Sequence, residues 1–123
     1  MLTAAAILLI LMSVFHSILG ERLILQPINN ADNLPKIWGS RQATFRTLEA
    51  SWHLVSVMWL GLAAHLLTLQ FYPQYMDKSF QIIFGLIFGA LAIVPLVWNS
   101  GKHKSWLVFG LISILLLRKA YFG

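Results

Sequence analysis

Apolar residues do not alternate with polar ones along this chain; they run in blocks whose ends are marked by charge. Met1 to Gly20, Ala50 to Met76, Ser79 to Gly101 and Ser105 to Leu117 contain no Lys, Arg, Asp or Glu. Crossing a hydrocarbon layer of about 30 Å takes about 20 helical residues, which the first three blocks supply. The fourth is shorter, and it crosses once Lys104, Arg118 and Lys119 extend their alkyl stems and leave their charges among the headgroups. The pattern predicts an all-α polytopic membrane protein, a four-helix transmembrane bundle formed as one domain over residues 1–123. Its helices fall at about 2–20, 41–70, 79–98 and 105–121, with a long loop between helices 1 and 2.

The boundaries rest on local chemistry. Met1 to Ala6 carries no basic residue and Ile18-Leu19-Gly20 is a poor cleavage site, so the first block reads as a helix rather than a signal peptide. Pro27, Asn29, Asn30, Asp32, Asn33, Pro35 and Gly39 crowd the stretch from Glu21 to about Ser40, a density of turn formers that argues against regular helix there. Ser40 is a good N-cap for helix 2. Pro73 closes the aromatic turn after it, and Pro95 deprives helix 3 of one backbone donor. Gly85 and Gly89, with Ala92, form a small face on helix 3 suited to close helix packing, within the chain or between copies.

Composition agrees with lipid as the solvent: 59% of the residues are hydrophobic and only 11% charged, against about one half and one quarter in soluble domains. With no cysteine, disulfides, thiol redox chemistry and thiolate ligation are excluded. The net charge of +5 is not arranged as a basic stripe interleaved with aromatics, so membrane lipid rather than nucleic acid is the expected partner. Arg22, Lys36, Arg41, Arg46, Lys102 and Lys104 fall on the side of the first and third loops, against Lys78, Arg118 and Lys119 on the other. The positive-inside rule therefore expects a bacterial-type inner membrane location with both termini outside the cytoplasm.

Candidate chemistry gathers at the loop-rich end. His16 lies near the end of helix 1, and Glu49 and His53 lie four residues apart near the start of helix 2, where both can reach one ion or one proton. This candidate cluster of His16, Glu49 and His53 has Glu21, Arg46 and His103 as further contributors at a similar level. Imidazole and carboxylate suit a metal ion, and His16 with His53 invites a bis-histidine haem, for which Gly20 offers room. The bland alternative is a water-facing patch in which Arg46 pairs with Glu49. His65, about 120° round helix 2 from His53 and nearer the opposite surface, reads as a separate histidine bonded to a carbonyl.

These features support three functional expectations: a membrane protein holding a metal or haem through the His/Glu cluster, a non-catalytic accessory or assembly subunit of a larger membrane complex, and a small proton-coupled transporter that works as a homo-oligomer. Hydrolase, kinase, P-loop and zincin motifs do not occur, so an enzyme of lipid or quinone modification ranks below these.

Overall fold

The structure is a computed structural model of residues 1–123 and describes all of them except the side chain of Trp38. Among the described residues it is helical, without strands. Helix α1 starts at Leu2 and runs to Gly20 as regular α-helix, widens into a π turn over Glu21–Leu25, and continues as Gln26–Asn29. Helix α2 spans Arg41–Phe71, α3 spans Met76–Trp98 and α4 spans Ser105–Phe122. All four are long and apolar enough to cross a membrane.

The expected end of helix 1 at Gly20 is corrected: the rod goes on to Asn29, and the loop shrinks to residues 30–40. Pro27 has no amide to give and its ring presses on the preceding turn. The π turn meets both demands, because the Gln26 amide reaches back five residues to the Glu21 carbonyl and opens the spiral just before the ring. The Arg41 guanidinium then caps the far end by donating to the backbone carbonyls of Ile28, Asn29 and Ala31. Ser40 caps α2 as expected, its Oγ accepting from the Ala43 amide at 3.0 Å. Helix α3 starts at Met76, earlier than expected, because Pro73–Tyr75 forms a 3₁₀ turn that feeds directly into it.

Packing is serial. The close interfaces join α1 to α2, α2 to α3 and α3 to α4, and α1 and α4, which a closed bundle would bring together, share no such interface. The expected bundle is thus an open array of consecutive hairpins. Water would penalise the outer faces this leaves bare, among them Leu8, Phe15, Val108 and Ile114, but lipid tails cover them at no cost.

Helices α3 and α4 approach through small residues. A Cβ on Gly85 would lie 2.8 Å from Leu117, and one on Gly89 2.9 Å from Ser113 Oγ. Ser113 donates to the Gly85 carbonyl at 2.7 Å, so the Gly85 and Gly89 face packs within this chain. At the loop-rich end Asn99 Nδ2 reaches Thr47 Oγ1 at 3.3 Å, which places the first and third loops at the same end of the array.

Candidate metal centre between α1 and α2

Helix length sets the depth of the site. Leu2–Gly20, at 19 residues, is about 28 Å long, close to the hydrocarbon thickness, so Glu21 falls at its edge. Glu49 lies eight residues into α2, as Glu21 lies eight residues before the end of α1, and the two antiparallel helices bring them level.

There, a carboxylate oxygen of Glu21, a carboxylate oxygen of Glu49 and a ring nitrogen of His53 all lie within 4.8 Å of one another. His53 Nε2 is 2.9 Å from Glu21 Oε2, and Gln26 Nε2 donates to the other oxygen, Glu21 Oε1, at 2.6 Å. The π turn contributes here: Gln26 sits five residues past Glu21, the span of a π-type hydrogen bond, and so falls near the same side of α1.

The second nitrogen of His53 leads inward. Nδ1 is 2.9 Å from Ser17 Oγ, Ser17 donates to Ser56 Oγ at 2.7 Å, and Ser56 Oγ is 2.9 Å from His16 Nδ1. With Ser17 giving its proton to Ser56, Ser17 receives the Nδ1–H of His53. That leaves Nε2 as the nitrogen facing the two carboxylates. A metal-ligating histidine is held by this kind of contact through its other ring nitrogen.

The chain of hydrogen bonds stops at His16. Its ring stacks on Trp52 with centroids 4.5 Å apart and planes 5° apart, and Trp59 meets it edge-on at 5.1 Å. Trp52 is anchored in turn, its Nε1 donating to the His16 carbonyl at 2.9 Å. The indole occupies the space beside Gly20, where an added Cβ would fall 2.0 Å from Trp52 Nε1. The room expected for a haem is therefore filled by tryptophan, and the residues present do not fit a bis-histidine haem.

Of the residues singled out in the sequence, Glu49 and His53 meet at the centre and Glu21 joins them as a full member. His16 is set apart from the carboxylates by two hydroxyls and the His53 ring, too far along the chain of contacts to be a ligand with them. Arg46 reaches instead to the end of α3 and donates to the Trp98 carbonyl at 2.6 Å, a helix-terminal acceptor without an amide partner. No Arg46–Glu49 salt bridge forms among the described residues, where the close contact to a carboxylate is that of His53 Nε2 with Glu21 Oε2. His103 lies with Arg46 in a separate cavity between α2, α3 and α4, its Nδ1 2.8 Å from Ser105 Oγ. His65 packs edge-on to Phe80, and among the described residues its buried Nδ1 has no hydrogen-bond partner, in place of the carbonyl expected for it.

Sequence reasoning missed Ser17, Ser56, Trp52 and Gln26. The signal was present in the spacing: Ser13, Ser17 and Glu21 recur every four residues on α1, matched by Glu49, His53 and Ser56 on α2.

Two carboxylates and an imidazole on a polar seam between apolar helices offer three N and O ligand atoms, with room for water beside them, since Glu21 and His53 are each about a third exposed. That donor set suits zinc, manganese or ferrous iron. Comparison with known proteins adds nothing to this geometry, because no family model, no curated protein and no solved structure matches the chain.

Proposed function

We propose that this chain is a small integral membrane protein that binds a divalent transition-metal ion through Glu21, Glu49 and His53 at the edge of the hydrocarbon. The observation that carries the reading is the approach of three ligand atoms to within 4.8 Å, together with the Ser17 contact that presents His53 Nε2 to them. Two carboxylates brought this close repel each other, and a divalent cation between them removes the repulsion. Proton passage is less well supported. The hydrogen-bonded chain ends at His16 between two indoles, with Leu9 and Met12 beyond it on that side of α1.

The distribution of Lys and Arg supports a bacterial-type inner membrane, with the metal-binding end on the cytoplasmic side and both termini outside. Metal analysis after equilibrium dialysis of the detergent-purified protein against zinc or manganese tests the site. Wild type retains about one ion per chain, and Glu49→Gln and His53→Ala lose it while keeping their helical circular dichroism. Equal retention by wild type and both variants, or none by wild type, overturns the metal reading and leaves the accessory subunit ahead.

A further inference from the structure

A second face of α2 carries another site. Ala50, Ser51 and Leu54 lie about 60° to 160° round α2 from His53, on the side away from Glu49 and Ser56. They border a cavity of about 110 Å³ enclosed by α2, α3 and α4. Its walls are apolar at Leu54, Leu91 and Phe109, and its mouth holds Arg46 and His103. A smaller cavity of about 90 Å³ adjoins it through Arg46, Trp98 and Asn99 and brings Lys102 to the same mouth.

Arg46 is unevenly satisfied. Its Nη1 donates to the Trp98 carbonyl at 2.6 Å, but its Nε is buried with no hydrogen-bond partner among the described residues. Leaving a charged donor dry and unpaired costs more than leaving a neutral one, and a guanidinium matches phosphate oxygens through paired N–H donors. The cavity is also at the membrane end where six of the nine basic residues lie, level with headgroups rather than tails. Its volume admits a phosphate and the first carbons attached to it. The remaining apolar chains would lie along outward-facing residues such as Val97 and Val108.

We infer that this cavity binds the phosphate headgroup of one anionic phospholipid drawn from the surrounding leaflet, with Arg46 as its principal contact, Lys102 adding positive charge and His103 standing beside them at the mouth. The site shares no lining residue with the metal centre.

Native mass spectrometry of the detergent-purified chain titrated with dioleoyl phosphatidylglycerol or dioleoyl phosphatidylcholine tests the inference. Phosphatidylglycerol is retained as a single tightly held molecule, with phosphatidylcholine about tenfold weaker, because its trimethylammonium group cancels the net negative charge that Arg46 and Lys102 attract. Arg46→Gln weakens phosphatidylglycerol to a similar degree. Ala50→Leu, which fills the cavity and leaves the guanidinium in place, does the same, so a misfolded arginine variant does not decide the result. Equal retention of the two lipids, or retention unchanged in both variants, overturns the inference. Displacement of phosphatidylglycerol by millimolar inorganic phosphate also overturns it, because the site then serves a free anion.

Discussion

Ser17 holds the two halves of the candidate metal centre together, although nothing in its residue type announces it. It receives the His53 Nδ1–H and donates to Ser56, which is buried between α1 and α2. Ser17→Ala leaves both neighbours without that partner in a place water reaches poorly. The expected cost is about 1 to 3 kcal/mol, read as a lower melting temperature in detergent. Because the variant also frees the His53 ring to turn, zinc affinity falls about tenfold to a hundredfold. Glu49 and His53 were legible from their four-residue spacing, which puts both on one face of any helix. Glu21 was underweighted because a helix ending at Gly20 would have placed it in a loop. The roles of Trp52 and Gly20 were hidden for a different reason: a glycine reads equally well as space for a ligand or as space for a neighbouring indole, and only the partner helix decides.

At the scale of elements, the helix pair α3 and α4 offers the sharpest contrast between two glycines. A Cβ on Gly89 would sit 2.9 Å from Ser113 Oγ, and that hydroxyl has little freedom to yield while it donates to Gly85. A Cβ on Gly110 would meet Ala92 at 3.8 Å, an ordinary contact. Gly89→Ala is therefore expected to destabilise the pair by about 1 to 3 kcal/mol, through crowding and a strained hydrogen bond. Gly110→Ala is expected to stabilise it by about 0.5 to 1 kcal/mol, through helix propensity. Thermal melts followed by circular dichroism check both, and equal effects would show that the seam is elsewhere. Element boundaries were readable wherever a single residue controls them, as Ser40 does for α2 and Trp98 with Asn99 for the end of α3. The end of α1 was not, since Pro27 and the asparagines around it look alike whether the helix stops or widens into a π turn.

At the scale of the molecule, the charge-free blocks made the four spans legible, because hydrophobic length is a property of sequence alone. Which helices touch is not, and the open array departs from the expected bundle because lipid exerts no pressure to close it. The natural absence of cysteine allows a direct check of the arrangement. Single substitutions at Asn33, Lys102 and Lys119 place a thiol at exposed positions on the first loop, the third loop and the C-terminal segment. A membrane-impermeant maleimide is expected to label the first two from one side and Lys119→Cys from the other. All three reacting from one side would refute four crossings.

The neighbour-to-neighbour packing has a bearing on how the chain is made. Each hydrophobic segment leaving the insertion machinery finds its partner in the segment released just before it, so no part has to linger unaccompanied until the final residues are translated. Completion of the metal centre needs only the first two segments and the phosphate pocket waits for the fourth, which gives the two sites a fixed order of birth.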